Sequence, residues 1–187
     1  MAAGLSVTQT CVTSLVLFTG ASQFALVAVL GAGGSAVAGV FSALLLGTRN
    51  TLYGVRLADL LRLSGPGRLL GAQLTIDETT AMAGAAPEGL ERTAFFATGA
   101  AVYGLWNLGT LLGAVGAAQL GDLSRFGLDA AVPAAFLALL APRLRERDGA
   151  RVALAGAILA LAAIPFVRPG VPVLIAGLAV VPLLARR

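Results

Sequence analysis

Gly20-Ala21-Ser22-Gln23-Phe24 interrupts the first apolar segment of the chain, which runs over residues 11–30. Small and polar residues occupy the middle of what is otherwise a plain membrane-spanning helix. In hydrocarbon, unpaired backbone groups cost several kcal/mol each, so a break at this depth survives only where protein or a water-filled cavity covers it. Interrupted helices near the bilayer midplane commonly hold the substrates of secondary transporters. The stretch therefore predicts a substrate-binding helix break, with Gly20, Ser22 and Gln23 as candidate binding residues.

The composition places this segment in a membrane protein. Of the 187 residues, 58% are hydrophobic and 12% are charged, and the mean hydropathy is +0.90. A soluble domain is usually about one quarter charged. Several apolar runs approach the ~20 residues needed to cross a bilayer. We therefore predict an all-α, polytopic membrane protein that forms a single integral membrane domain over residues 1–187.

The charged and reactive residues exclude several classes of function. All thirteen basic residues are Arg, and they cluster between apolar runs, which is typical of topology signals and not of nucleic-acid binding. The single Cys11 excludes an internal disulfide and a Cys-based zinc site. The chain has no His, no nucleophile elbow and no phosphate-binding loop. We therefore predict no enzyme activity, no metal and no cofactor, and the lipid bilayer as the surrounding partner.

Six further apolar segments follow, at residues 36–54, 69–86, 94–120, 128–144, 152–167 and 171–185. The segment 69–86 contains Asp77 and Glu78, and two adjacent carboxylates fit poorly in a lipid-exposed crossing. This segment therefore either lies at the interface or re-enters the membrane within protein. If it does not cross, the arginine-rich loops all lie on one side, as the positive-inside rule requires. We predict about six transmembrane helices plus one re-entrant or interfacial helix, with a cytoplasmic N-terminus.

The polar residues inside apolar segments have two interpretations each. Ser22 and Gln23 either bind substrate or hydrogen-bond neighbouring helices within the bundle. Arg49 either extends its charge toward the interface or lines a polar cavity. Asp77 and Glu78 are candidates for reversible protonation, or they form a salt bridge with Arg49 or Arg92, or they are exposed at an interface.

Five stretches carry a resemblance in register along the chain. They are Leu15–Phe24, Thr48–Gly54, Leu74–Thr79, Trp106–Thr110 and Gly127–Phe136. Together they resemble the AzlC family, the large subunit of branched-chain amino acid exporters of the BrnF type, over essentially the whole chain.

The resemblance implies export of valine, leucine, isoleucine and similar amino acids from a bacterial cell through its inner membrane. It implies a small AzlD-like (BrnE-type) membrane subunit as partner and coupling to the proton gradient or membrane potential. Mapped onto this chain, the candidate sites are substrate-binding Gly20, Ser22, Gln23, Arg49, Asn50 and Asn107, with proton-coupling candidates Asp77 and Glu78.

Two departures from the family pattern bear on activity. Many members have Asn and His around the central Arg, where this chain has Gly47 and Asn50. Members usually carry one further helix before residue 11, so the resemblance implies either a truncated N-terminus or a misassigned start. The alternatives to the exporter are a non-transporting membrane scaffold or inactive truncated permease, and an uptake permease for amino acids.

The topology is testable with reporter fusions at Gly89 and Gly149. Both reporters should read on the cytoplasmic side, because the segment 69–86 is predicted not to cross. Alkaline phosphatase and fluorescent-protein fusions at each position measure the side directly. Readings on opposite sides would contradict the re-entrant assignment.

Overall fold

The computed structural model of the chain describes residues 3–120, 127 and 130–181. All regular structure in these residues is helical, which confirms the prediction of an all-α protein. The α-helices in chain order are α1 Val7–Val16, α2 Gly20–Gly31, α3 Ala36–Leu61, α4 Gly65–Gln73, α5 Asp77–Ala85, α6 Glu91–Leu120, α7 Ala131–Leu140, α8 Arg147–Ala163 and α9 Val171–Gly177. Single 3₁₀ turns occur at Arg143–Arg145 and Leu178–Val180.

The chain divides into two compact units. The first, which we call the terminal unit, contains Met1–Gly4, Phe24–Leu45 and Leu120–Arg187. The second contains Leu5–Gln23 and Leu46–Gln119. We call it the break unit, because it contains two helix breaks, at Leu17–Thr19 and at Leu74–Ile76.

In the terminal unit, several glycines lie in close contact with side chains of other helices. A Cβ at Gly39 would lie 2.7 Å from Leu26 Cδ1, and one at Gly177 would lie 2.8 Å from Leu45 Cδ2. Gly170 has a φ of +93°, a backbone conformation that favours glycine, and it packs against Val29. Small residues at these contacts allow the backbones to approach closely, as is usual where apolar helices associate in a bilayer.

The first apolar segment forms two helices, and the break between them lies at Leu17–Thr19. Leu17 departs from helical backbone geometry (ψ 67°), and the Thr19 N–H donates to Leu17 O at 2.8 Å. The Gln23 N–H donates to Thr19 O at 3.0 Å and so begins α2. The break therefore precedes the predicted stretch Gly20–Gln23, which forms the first turn of α2. Small and polar residues suit a first turn, where backbone N–H groups have no intrahelical acceptor.

The segment predicted at 69–86 is also broken, at Leu74–Ile76 between α4 and α5. Thr79 is fully buried, and its hydroxyl donates to Leu74 O at 2.8 Å and accepts from the Ile76 N–H at 3.0 Å. The Thr75 hydroxyl donates to Gly71 O at 2.8 Å. Threonine side chains thus replace the helix ladder locally, which explains why this weakly apolar segment carries so many of them.

Other helix ends differ from the predicted segments. α3 continues to Leu61, well past residue 54, because residues 55–61 keep a helical pattern until Arg62 turns with a φ of +45°. α8 begins at Arg147, ahead of the predicted residue 152, because its first turn carries Asp148, which suits a helix N-terminus. Residues 128–129 and 182–185 of two predicted segments lie outside the described residues.

The core of the break unit surrounds the two breaks. Its buried residues are Phe18, Leu57, Leu61, Leu74, Ile76, Ala83 and Phe95. Large apolar side chains on the rest of α6 are exposed, with Leu105 at 70% and Leu112 at 63%. Exposed apolar patches of this kind suit a lipid environment.

The length of α6 also suits a membrane. Over Glu91–Gln119 it is long and apolar enough to cross a bilayer, and it is the only such helix among the described residues. Val7–Val16, Gly20–Gly31 and Val171–Val180 are apolar but shorter. The six crossings and the re-entrant segment stay predictions.

Thr79→Val tests the closure of the second break. The substitution keeps the side-chain shape but removes a hydroxyl that accepts from the Ile76 N–H and donates to Leu74 O, so these two backbone groups lose a hydrogen bond. We expect the free energy of unfolding in mild detergent to fall by about 1–3 kcal/mol. Thr93→Val, at an exposed position of α6, is the matched control and should change stability little. Equal stability of the two variants would contradict the assignment.

Candidate functional site

The two breaks lie together in the break unit, with Phe18 of the first and Leu74 and Ile76 of the second in one buried cluster. The carbonyls at the end of α1 are capped by side chains from other helices. Gln73 Nε2 donates to Leu15 O at 3.0 Å and to Val16 O at 3.2 Å. Protein therefore covers the polar backbone of the first break, as a break within hydrocarbon requires.

A tyrosine of α6 completes this cap. The Tyr103 hydroxyl donates to Leu15 O at 3.1 Å. The Tyr103 ring also packs edge-on against Phe18, with centroids 4.8 Å apart. One side chain thus satisfies the carbonyl before the break and packs the aromatic residue within it.

Arg49 and Asp77 form an ion pair at the start of α5. Arg49 Nη1 lies 2.8 Å from Asp77 Oδ2, and the side chains are 35% and 36% exposed. The salt-bridge interpretation of these two residues is thereby realised in the structure. Arg49 Nε and Asp77 Oδ1 are both buried and have no hydrogen-bond partner among the described residues. The pair therefore keeps one donor and one acceptor for a polar ligand.

Glu78, next in the sequence, behaves differently. Its side chain is exposed, and no ion pair links it to another described residue. Adjacent residues point to different sides of a helix, so only Asp77 of the two carboxylates reaches Arg49. The geometry favours Asp77 over Glu78 as a site residue.

Gln23 and Ser22 are buried at the start of α2. Gln23 Oε1 accepts a hydrogen bond from the indole Nε1 of Trp106 at 2.8 Å. The Thr19 hydroxyl lies 3.5 Å from Ser22 Oγ, and Ser22 is fully buried. The structure thus gives Gln23 the interhelical hydrogen bond that the alternative interpretation anticipated.

Gly20 provides the space for that indole. A Cβ at Gly20 would lie 2.9 Å from Trp106 Cη2 and 3.3 Å from Cζ2. A side chain at this position would push the ring away from Gln23. Gly20 is therefore placed as a packing residue for Trp106.

The two predicted asparagines each contain a buried, unsatisfied oxygen. Asn107 Nδ2 donates to Tyr103 O at 2.8 Å, but its Oδ1 has no partner in the described part of the chain. Asn50 Oδ1 is likewise buried without a described partner. Buried acceptors of this kind usually bind something, because leaving one unsatisfied costs about 1–3 kcal/mol. Both oxygens can accept from the ammonium group of a ligand.

Sequence reasoning missed the pairing of Gln23 with Trp106 and the capping by Gln73 and Tyr103. These partners are separated by 57 to 88 residues, and no local pattern connects them. The available signal was weaker: each is a polar or amphipathic side chain inside an apolar segment. In the described residues, no group of three or more His, Cys, Asp or Glu side chains could hold a metal ion.

Comparison with known proteins identifies one family. The family model described as AzlC protein matches residues 1–120, which is more than half of the chain. The match contains four of the five stretches that carry the resemblance. It ends before Gly127–Phe136, so the expected resemblance over essentially the whole chain is not supported there. Searches of curated proteins and of solved structures return no significant match.

Gly20→Ala tests the packing at the first break. The added methyl group meets the indole at 2.9 Å and must displace it from Gln23, at a cost of about 1–3 kcal/mol. Gly104→Ala is the matched control, because a Cβ there meets nothing within 4 Å and alanine favours the helix by up to about 1 kcal/mol. Thermal unfolding followed by tryptophan fluorescence should show opposite shifts. Two shifts in the same direction would contradict this packing.

Proposed function

Because the chain belongs to the AzlC family, a membrane protein family linked to transport, we propose that it is a multi-pass transporter subunit that exports apolar amino acids of the branched-chain type. The observation that carries the proposal is the Arg49–Asp77 ion pair beside two adjoining helix breaks. Intramembrane ionisable residues usually mark a substrate or ion pathway. Helix breaks are where secondary transporters commonly bind substrate.

The ion pair suits a zwitterion. An amino acid carries one positive and one negative charge, so its carboxylate can pair with Arg49 while its ammonium group pairs with Asp77. Every charge then keeps a counterion, which matters because an unpaired charge is costly in a low-dielectric site. The unpartnered Arg49 Nε and Asp77 Oδ1 supply the additional donor and acceptor.

The neutral residues contribute hydrogen bonds and shape in this proposal. Asn50 and Asn107 accept from the ammonium group through their buried oxygens. Gly20, Ser22 and Gln23 form the first turn after the first break, and Gly20 and Gln23 hold Trp106 in place. These residues belong to the substrate site as positioning groups.

Proton coupling follows from the same pair. Protonation of Asp77 would remove the negative charge that pairs with the substrate ammonium, so the uptake of a proton would release the substrate from the ion-pair site. Glu78 is the second candidate, at an exposed position next to the pair. We further propose a small AzlD-like subunit as partner and the bacterial inner membrane as location.

Efflux from cells loaded with a leucine-containing dipeptide tests the function. Cells that express the chain with its small partner should release leucine faster than cells that lack the chain. Arg49→Gln and Asp77→Asn should each reduce the rate at least tenfold, because each leaves one substrate charge unpaired. Arg151→Gln, which removes only a surface ion pair with Asp148, is the control. Unchanged efflux on deletion of the chain would defeat the exporter.

The charge exchange Arg49→Asp with Asp77→Arg separates a structural pair from a substrate site. The exchanged pair can still form, so the protein should remain in the membrane. Efflux should stay lost, because the two charges now face the substrate in the wrong order. Recovery of efflux would show that the pair is structural only. If cells that express the wild-type chain take up leucine from the medium and do not release it, the chain is an uptake permease.

A further inference from the structure

The helices of residues 7–120 repeat one order twice. α1, the first break, α2 and the long helix α3 are followed by α4, the second break, α5 and the long helix α6. The helices beside the breaks have 9 to 12 residues, and the long helices have 26 and 30. Corresponding interrupted segments in two halves of a transporter point to its binding site.

The two halves are in register at a separation of 57 residues. α2 begins at Gly20 and α5 begins 57 residues later, at Asp77. The same separation relates Gly47 and Asn50 of α3 to Gly104 and Asn107 of α6. Burial repeats in the same register: Ser14, Phe18 and Ser22 are buried, as are Gly71, Thr75 and Thr79.

A contact between the two halves also corresponds to a second contact in which the two halves have exchanged roles. At this separation Arg49 corresponds to Trp106, and Gly20 corresponds to Asp77. The Arg49–Asp77 ion pair is therefore equivalent to the packing of Trp106 on Gly20. The hydrogen bond from Gln73 to Val16 joins two corresponding residues, so it maps onto itself. These contacts are therefore exchanged, or mapped onto themselves, by the 57-residue register.

One pair of equivalent interfaces breaks this symmetry. α1 and α6 are closed against each other by the Ser14–Thr110 hydrogen bond, 3.1 Å long. The equivalent positions on α4 and α3 are Gly71 and Tyr53. Residues of α3 and α4, with Gly71 among them, line a cavity of about 770 Å³, within the usual range for a small-molecule site.

The lining of this cavity changes along its length. Its walls include the buried apolar side chains Leu57, Leu61 and Phe95. The lining also includes Asn50, whose Oδ1 has no partner among the described residues, and the buried Thr75 of the second break.

At the outer end the lining carries charges of opposite sign. Asp59 and Arg68 are both exposed there, and neither forms an ion pair with a described residue. Asn50 and Asp59 are nine positions apart on α3, or roughly 13 Å at 1.5 Å per residue. The cavity therefore extends from a charged opening to the second break.

We propose that this cavity is a vestibule that binds the amino acid before it reaches the breaks. Its ammonium group pairs with Asp59, its carboxylate pairs with Arg68, and its apolar side chain contacts Val55 and Leu63, which are apolar lining residues with exposed surface. Two charges of opposite sign beside an apolar wall select a zwitterion with an apolar side chain over an anion or an amine. The inference rests on the proposed function, and Asn50 connects the vestibule to the Arg49–Asp77 site.

Gly54→Phe tests the vestibule by filling it. Gly54 lines the cavity, and a Cβ there meets nothing within 4 Å, so the ring can enter the open space. Binding of labelled leucine to the purified protein should weaken at least tenfold. Gly116→Phe on α6 is the control, because its Cβ also meets nothing within 4 Å and it does not line the cavity. Equal leucine affinity in both variants would overturn the proposal.

Two substitutions at exposed positions repeat the test without a large side chain. Asp59→Asn and Arg68→Gln should each weaken leucine binding at least tenfold. Asp59→Asn should also reduce the preference for leucine over 4-methyl-2-oxopentanoate, which lacks the ammonium group. If Gly54→Phe loses co-purified phospholipid but binds leucine as well as the wild-type protein does, the cavity binds lipid. That result would overturn the proposal.

Efflux separates this proposal from the function on which it rests. If the wild-type chain exports leucine and Gly54→Phe exports it equally well, the vestibule is wrong and the transporter stands. If Arg49→Gln and Gly54→Phe both abolish export while the control variants do not, both proposals are supported. If the wild-type chain neither binds nor exports leucine, the proposed function fails and the vestibule fails with it.

Discussion

The need to satisfy backbone polar groups at two helix breaks governs the break unit. Each break exposes carbonyl and amide groups that an uninterrupted helix would pair internally, and hydrocarbon offers them no partner. At the second break Thr79 supplies the hydrogen bonds from the same segment. At the first break the supply comes from α4 and α6, through Gln73 and Tyr103. The helices are therefore joined by polar bonds as well as by the apolar cluster around Phe18.

The same arrangement separates a charged region from a neutral one. Arg49 and Asp77 meet at the start of α5, and Trp106 and Gln23 meet at the start of α2. Both contacts join a long helix to the first turn that follows a break. The chemistry differs because an ion pair can exchange partners with a charged ligand, whereas a buried indole–amide bond fixes the packing. One region is suited to exchange and the other to rigidity.

The sequence predicted the elements better than their ends. Small and polar residues in an apolar run correctly indicated the first break, but Gly20–Gln23 start a helix and the break precedes them. The adjacent carboxylates of residues 69–86 indicated an unusual segment, and threonines break it at Leu74–Ile76. Length and hydropathy describe one segment at a time. They therefore do not specify where a side chain replaces a backbone hydrogen bond of the helix.

Part of the candidate site was also accessible from sequence. An ion pair between Arg49 and Asp77 was among the predicted alternatives, because opposite charges in apolar segments are stabilised by pairing. The bond between Gln23 and Trp106 was not foreseen, because it depends on which helices pack together. The repeat was hidden for a similar reason. The two halves share the pattern of burial, one glycine pair (Gly47 and Gly104) and one asparagine pair (Asn50 and Asn107). Most other corresponding positions carry different residues.

The cap on the first break also has a consequence for biosynthesis. Gln73 lies 58 residues after Leu15, and Tyr103 lies 88 residues after it. At about 5–20 residues per second, a ribosome needs roughly 3–12 s to reach Gln73 and roughly 4–18 s to reach Tyr103. Throughout that interval the carbonyls of Leu15 and Val16 lack the side-chain donors that they have in the folded protein. The insertion machinery, or water within it, must shelter α1 and α2 until the rest of the break unit emerges.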